Sequence, residues 1–183
     1  MSDLITLAAT QTYLGTTAST SGQIAQAITF ASQMIESYCD TIFASGSYTE
    51  VYDGPGYATL ILNHAPIISI TSVTTDEDGL LPSGDYTFKS DPGFLYYKDT
   101  DDVLYVWPRG IANITVSYTA GYTTIPADLQ GVCMMLTEDL LRNSGGSRGY
   151  KSETVGRYQY VRYDGYEMLA PYLVVLNLYR RIA

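Results

Sequence analysis

The spacing of apolar residues changes twice along this chain, and these two changes limit its fold more than any other feature. Residues 24–42 carry an apolar stripe at intervals of three and four, formed by Ile24, Ile28, Ala31, Ile35, Tyr38 and Ile42. That spacing predicts one face of a long amphipathic helix. From Gly46 to about residue 120 the sequence is rich in Val, Ile, Thr and Tyr, and turn residues interrupt it at short intervals. This second pattern is typical of short antiparallel strands.

Helical spacing returns after residue 125. Pro126 suits the start of a helix because proline has no amide hydrogen to leave unpaired, and the stripe that follows is Leu129, Val132, Leu136 and Leu140. Residues 6–14 predict a further short helix, with Thr6 as its N-cap and Gly15 just past its end. We therefore predict an α+β fold. It is a helical bundle of two N-terminal helices, one helix after residue 125 and a C-terminal helix, with an antiparallel β insertion.

The insertion contains several short strand candidates separated by turns. Four of them are Tyr86–Lys89, Phe94–Tyr97, Val103–Trp107 and Asn113–Thr119. The segment Asp76-Glu77-Asp78-Gly79 predicts a hairpin turn, because Asp-Gly is the strongest short signal for one. In the C-terminal segment Pro171 predicts either a helix that starts near Ala170 or a kinked helix, since proline removes a helical hydrogen bond.

These elements divide the chain into three parts. Residues 1–143 form a helical core that carries the β insertion at about 47–120. Residues 144–165 are rich in Gly, Tyr and basic side chains and lack the pattern of a buried face, so we expect a flexible, exposed, partly ordered arm. Residues 166–183 form a C-terminal docking helix.

Composition excludes several classes of protein. Of 183 residues, 46% are hydrophobic, 13% aromatic and only 16% charged, whereas a disordered acidic chain has few aromatics and much charge. Two cysteines are too few for a disulfide framework. We find neither a run of 18 apolar residues nor a basic N-terminal leader, so we expect no membrane span and no secretion signal. The expected setting is a reducing compartment.

The net charge of −9 is unevenly distributed. Residues 1–141 carry −13, with three basic side chains, whereas residues 142–183 carry +4. An acidic body repels phosphate, so a sequence-reading DNA binder is not expected. The basic tail has two interpretations, a docking segment for an acidic partner surface such as a second copy, or a solvated loop and a helix C-terminus with favourable cations. Tyr158–Tyr163 similarly fits a protein interface or a strand packed on the protein's own sheet.

The residues needed for catalysis do not come together in the sequence. His64 is the one histidine and lies beside Pro66 in a turn. Residues 145–149 read Gly-Gly-Ser-Arg-Gly and match G-x-S-x-G, but they do not follow a strand, so they do not form the strand-to-helix turn that presents a nucleophilic serine. An EF-hand calcium loop that began at Asp76 would need a Glu at its twelfth position, but residue 87 is threonine. We expect Cys39 and Cys133 to be buried thiols in the helical core. The sequence predicts neither an enzyme nor a metal or cofactor site.

The order of these segments resembles the head–tail connector (adaptor) family of tailed bacteriophages, also labelled head-completion or DNA-packaging proteins. The resemblance rests on ITLAATQTYL, IESYCDTIF followed by TEVYDGPG, LILNHAPIISITSV, ITVSYTAGYTTIPADLQ, KSETVGRYQY and LNLYRRIA, which run in family order from about residue 5 to 182. Residues 76–107 are the part that the resemblance constrains least.

The resemblance implies a structural role without catalysis. It implies a dodecameric ring in the head–tail neck of a virion, made in the host cytoplasm and docked beneath the portal protein. The ring would extend the channel for passing double-stranded DNA without sequence recognition and would bind a stopper or tail-completion protein. The family's C-terminal region engages the portal, which implies docking or subunit-interface roles for Arg148, Lys151, Arg157, Tyr158, Tyr160, Arg162, Tyr179, Arg180 and Arg181.

Two other functions fit parts of the sequence. One is a Tyr-rich carbohydrate- or protein-binding β module of a virion or secreted assembly, suggested by Trp107 and the tyrosines of residues 86–105. The other is a hydrolase that uses two of the aspartates, for which the sequence offers no environment that would raise one carboxyl pKa.

Overall fold

The structure is a computed structural model that describes residues 3–15, 21–98, 101–143, 152–155, 158–161 and 167–181. The chain divides into two compact units. Residues 1–43 and 124–183 form the helical unit, and residues 44–123 form the β unit. Helices and antiparallel sheets therefore occur together, which confirms the predicted α+β class.

The helical unit begins with two helices that follow the sequence patterns closely. Helix α1 spans Leu7–Leu14, where the Thr6 hydroxyl accepts the Ala9 amide at 3.2 Å and Gly15 adopts a left-handed φ of 63°. Helix α2 spans Ser21–Cys39, and its buried residues include the predicted stripe from Ile24 to Ile35. The predicted extension to Ile42 is wrong. Asp40 has a φ of 51°, and a left-handed residue ends an α-helix.

The second half of the helical unit contains α3, Ala127–Asn143, and α4, Leu173–Tyr179. A 3-10 helix over Glu167–Tyr172 precedes α4 and contains Pro171. The α-helical part of the C-terminal segment is therefore much shorter than the predicted docking helix, 166–183. Its start lies beyond Ala170, because Pro171 has no amide hydrogen for the regular helical ladder.

The β unit is a pair of antiparallel sheets. Its strands are β1 (Gly46–Gly54), β2 (Thr59–Ile61), β3 (Ile67–Thr75), β4 (Gly79–Leu80), β5 (Tyr86–Lys89), β6 (Phe94–Tyr97) and β7 (Gly110–Ala120). The first sheet has the order β1-β7-β3-β4, and the second has the order β2-β6-β5. The predicted strands 86–89 and 94–97 are confirmed, and Asn113–Thr119 lies within the longer β7.

One hydrophobic core joins the two sheets. Alternate residues of β7, from Ile114 to Ala120, face this core, where they meet Leu60 and Leu95 of the second sheet and the fully buried Trp107. The residues between them on β7 are Thr115, Ser117 and Thr119, which lie on the opposite face. The β unit is therefore a sandwich with one outer face on each sheet.

Two segments differ from their predicted structure. Val103–Trp107 is not a strand, since its ladder is limited to one bridge between Leu104 and Lys98, and residues 103–106 are exposed. Within the predicted arm, β8 (Ser152–Val155) pairs with β9 (Tyr158–Val161) as a two-stranded sheet separate from the sandwich. The remaining arm residues lie outside the described ranges, so its predicted flexibility stays a prediction.

Gly54 gives a direct test of this fold, because a Cβ added there would lie 1.7 Å from the Pro108 carbonyl oxygen. We expect Gly54→Ala to lower the free energy of unfolding by about 1–3 kcal/mol, the usual cost of overpacking. The matched control is Gly84→Ala, where an added Cβ meets nothing within 4 Å. Urea denaturation of both variants checks the prediction, and equal stabilities would contradict the packing described for β1.

Candidate functional site

The residues predicted to form the docking surface fall in three places. Tyr158 and Tyr160 lie in strand β9. Tyr179, Arg180 and Arg181 lie at the end of α4. Arg148, Lys151, Arg157 and Arg162 lie outside the described residues. For all nine residues, contact with a partner stays a prediction.

The three residues at the end of α4 contact the other helices of the unit. The Tyr179 hydroxyl donates to the Asp128 carboxylate on α3, at 2.9 and 2.8 Å from its two oxygens. The Arg180 guanidinium lies 5.4 Å from the centre of the Tyr38 ring on α2. The Arg181 amide donates to the Cys39 carbonyl at 3.0 Å. These contacts position α4 against α2 and α3.

Sequence reasoning did not identify the partners of these residues. The Tyr38 hydroxyl donates to Asn177 Oδ1 at 2.7 Å, across 139 positions of sequence. Tyr38 belongs to the predicted stripe of α2 and Asp128 to the acidic first turn of α3. No local pattern indicates that either contacts the C-terminal helix.

Helix α4 has a buried side and an exposed apolar side. Leu176 is fully buried, and the Tyr172 hydroxyl before the helix donates to Asp139 at 2.6 Å. Burial and this hydrogen bond raise the pKa of Tyr172, so its hydroxyl stays protonated as a donor. Val174 and Leu178 are 81% and 77% exposed. They lie one turn apart on the same face of the helix, which is the i, i+4 arrangement of a docking helix.

The surroundings of His64 are those of a structural residue. Its ring stacks on Tyr48 with 3.8 Å between ring centres, and its Nε2 lies 3.6 Å from Glu50 Oε1. Its backbone amide donates to the Tyr118 hydroxyl at 3.1 Å. His64 lies in the turn between β2 and β3 and packs against β1 and β7, so its side chain helps fix that turn.

Glu50 is the centre of a hydrogen-bonded group beside this turn. The hydroxyls of Tyr52 and Tyr118 both donate to its Oε2, and the Asn63 side-chain amide donates to Oε1 at 3.3 Å. Burial by itself would raise the pKa of Glu50, but these donors outweigh it and lower the pKa. Burial and Glu50 in turn raise the pKa of Tyr52 to about 12. Glu50 stays ionised while both phenols stay protonated, so these three side chains serve as a structural anchor and not as a proton-transfer site.

The two cysteines are buried in the helical unit, as the sequence predicts. Burial raises the pKa of both thiols to about 11. Cys133 Sγ lies 3.6 Å from the Ser32 hydroxyl, and Cys39 Sγ donates to the Leu176 carbonyl. Protonated thiols are weak nucleophiles and poor metal ligands, so their contribution is to packing.

The aromatic platform that would suit a carbohydrate is not formed by Trp107. Its side chain is fully buried and stacks on Tyr97 with ring centres 5.1 Å apart. A sugar-binding tryptophan must present its ring to solvent, so the hypothesis that Trp107 grips carbohydrate is wrong.

The acidic turn at residues 76–79 forms the predicted hairpin turn between β3 and β4. The Asp78 amide donates to the Thr75 hydroxyl at 2.9 Å, and Gly79 has a φ of 73°. Across the described ranges, no group of three His, Cys, Asp or Glu side chains is arranged to hold a metal ion. Nor is any described helix both long and apolar enough to cross a membrane.

Comparison with known proteins gives one family and several similar folds. A family model described as head completion protein matches residues 3–182. A chain from the neck of an empty gene transfer agent particle, computed with C6 symmetry, is 13% identical and has a TM-score of 0.60, with 98% of this chain and 91% of that chain covered. No curated protein sequence matches this chain.

Two further structures come from native gene transfer agent particles. A chain from the neck computed with C12 symmetry is 15% identical to this chain and has a TM-score of 0.55. The match covers 97% of this chain and 88% of that chain. A chain from the virion is 15% identical with a TM-score of 0.60, and the coverages are 98% and 91%. At these identities the similarity establishes the fold.

Glu50 predicts a specific loss of stability in acid. Because its native pKa lies below the ordinary value of 4.5, its contribution is present above that pH and is lost as the pH falls through the native pKa. We expect Glu50→Gln to be less stable than the wild type at pH 7 and to show a flatter decline in acid. Urea unfolding between pH 3 and 7 measures both slopes, and parallel curves would refute the role of the carboxylate.

Glu36 should affect the pH dependence of stability in the direction opposite to Glu50. Only Oε1 has a partner among the described residues, the Phe43 amide at 3.3 Å, and burial raises the pKa of this carboxyl. Its ionised form therefore costs stability above the native pKa, and that cost disappears as the pH falls through it. We expect Glu36→Gln to raise the unfolding free energy at pH 7, since the amide oxygen still accepts from Phe43. Urea unfolding between pH 3 and 7 measures this difference in stability. A variant less stable than the wild type at pH 7 would show that the ionised carboxylate stabilises the fold.

Proposed function

The chain belongs to the head completion protein family, and on that premise we propose that it is a structural adaptor in the neck of a phage-like virion. In this role it docks as a ring beneath the portal protein and joins the head to a stopper or tail-completion protein. The ring, a dodecamer in the virion, extends the channel through which double-stranded DNA passes without sequence recognition. The role requires no catalytic step.

The exposed apolar side of α4 is the observation that carries this proposal. Val174 and Leu178 present apolar surface at the C-terminal end of the chain, while the buried side of the same helix holds it on the bundle. A helix fixed on one side and apolar on the other fits a groove on a partner. We propose the portal protein as that partner.

Charge supports the same assignment for the segment before α4. Residues 144–165 include Arg148, Lys151, Arg157 and Arg162, so this segment is basic beside an acidic body. Opposite charge accelerates encounter and fixes register between partners. In this proposal the arm, with Tyr158 and Tyr160, meets an acidic portal surface, and Arg180 lies at the border of the same contact.

The acidic body supports the passage of DNA. Residues 1–141 carry a net charge of −13. Because affinity for the duplex comes mainly from cations that neutralise phosphates, a wall of this charge would not hold the DNA. Two of the similar structures are necks computed with C6 and C12 symmetry, which supports a ring for this chain.

The test is co-sedimentation of the full chain with the portal protein from the same genome. A chain ending at Asn143 would be a poor comparison, because removal of the last segment would uncover the surface on which Leu169, Tyr172 and Leu176 are buried. Substitutions on the exposed side of α4 avoid this problem.

We expect Val174→Asp and Leu178→Asp each to weaken binding to the portal at least about tenfold, because burying an unpaired carboxylate in an interface is costly. The matched control is Met135→Asp, an apolar residue of α3 that is 47% exposed. Circular dichroism checks that all three variants fold. If all variants bind the portal protein with the affinity of the wild type, α4 is not part of the contact. Failure of the wild type to bind would overturn the adaptor proposal.

A further inference from the structure

The outer face of the first sheet is covered by hydroxyl groups. Nine outward positions on β1, β7 and β3 form three rows across the strands, Ser47-Thr119-Ser69, Thr49-Ser117-Ser72 and Val51-Thr115-Thr74. Eight of the nine side chains are Ser or Thr. The Thr49 and Ser117 hydroxyls are 2.9 Å apart, and the Ser47 and Thr119 hydroxyls are 3.4 Å apart. We name these nine residues the hydroxyl face.

The outer face of the second sheet carries three large apolar or aromatic side chains among two threonines and one lysine. Its rows are Thr59-Tyr96-Thr87 and Ile61-Phe94-Lys89, which we name the aromatic face. Ile61 is 55% exposed, and Phe94 meets Tyr96 edge-on with ring centres 6.4 Å apart. Lys89 Nζ lies 5.8 Å from the centre of the Tyr96 ring. Because the two sheets share one core, these two faces point away from each other.

The described carboxylates of the β unit lie outside both faces, with only Asp53 at the rim of the hydroxyl face. The unit has ten acidic and three basic side chains. Those that the structure describes lie mostly in turns and loops, at Asp76, Glu77, Asp78, Asp85, Asp91, Asp101 and Asp102. Glu50 is held by Tyr52 and Tyr118 on the inward side of β1. Each copy would repel the next through its turns, so the two outer faces are where copies can meet without opposing like charges.

Each face also has one charge at its margin, and the two signs are opposite. Asp53 follows Val51 by two positions on β1, at the rim of the hydroxyl face, where its carboxylate accepts the Ala112 amide at 2.6 Å. Lys89 is the one charged side chain of the aromatic face. The two faces are thus complementary in charge as well as uncharged over most of their area.

We infer that the hydroxyl face of one copy packs against the aromatic face of the next copy in the ring. This inference rests on the proposed ring and names its subunit contact. A contact between two different patches on opposite sides of a unit is heterologous, and such contacts close into rings when the rotation allows it. The pairing covers the apolar surface of Ile61, Phe94 and Tyr96, and the Ser and Thr hydroxyls lose little side-chain entropy on burial.

The test places single charges on each face of the full chain and measures ring yield on the portal by mass and negative-stain microscopy. Thr49→Glu adds a carboxylate to the hydroxyl face, and Thr87→Glu adds one to the aromatic face; both side chains are exposed. Ser83→Glu is the matched control, because it adds the same charge at an exposed turn. Circular dichroism checks that each variant folds.

We expect Thr49→Glu and Thr87→Glu each to lower ring yield at least about tenfold, because an unpaired charge enters the contact. Ser83→Glu should assemble like the wild type. The decisive variant combines Thr49→Glu with Thr87→Lys, which places opposite charges on the facing surfaces and should restore assembly at low salt, while Thr49→Glu with Thr87→Glu should not.

Three results would overturn the inference. Rings of normal yield from both single variants would remove both faces from the contact. Loss with Thr49→Glu but not with Thr87→Glu would indicate that the hydroxyl face meets a different surface. Failure of the opposite-charge pair to restore assembly would show that the two faces do not oppose each other. In each case wild-type rings would leave the adaptor proposal standing, whereas absence of wild-type rings would overturn the proposed ring itself.

Discussion

Pairing of β7 with β1 on one side and β3 on the other is the constraint on which the β unit depends. Because strand side chains alternate between faces, the register that buries Ile114, Val116 and Tyr118 also turns Thr115 and Ser117 outward. A shift of one residue would exchange the two sets and bury hydroxyls against Leu60 and Leu95. One register therefore decides both the core and the outer face that we assign to a neighbouring copy.

Tyrosine hydroxyls hold much of the described structure together. The chain has 18 tyrosines but only three basic side chains in its first 141 residues, so its carboxylates have few cationic partners. Phenolic donors take that place, as Tyr172 does for Asp139 and Tyr179 for Asp128. In the β unit Tyr118 does the same for Glu50. Tyrosines that the composition alone would assign to an external interface thus serve internal contacts.

The surfaces proposed for assembly are mainly apolar or hydroxyl-bearing. Val174 and Leu178 give α4 an apolar outer side, and Ile61 and Phe94 give the second sheet another. In the proposed ring, exposed acidic charge would keep copies and DNA apart, which leaves the uncharged faces for stable contacts. The basic arm is the exception, and for it we propose contact with an acidic partner.

The sequence by itself determined the α+β class, the extent of α1, the start of α3, three of the four named strand candidates and the burial of both cysteines, because these depend on local periodicity and caps. It failed where a local pattern continued past its physical limit, as at Ile42 beyond the left-handed Asp40 and at residues 103–107, where strand-like residues form one bridge. Only the tertiary structure decided that Trp107 is core rather than platform, and that α4 is anchored through Tyr38 and Asp128. Those contacts join residues far apart in sequence, so burial and partner choice follow from the packing of whole elements rather than from any local spacing.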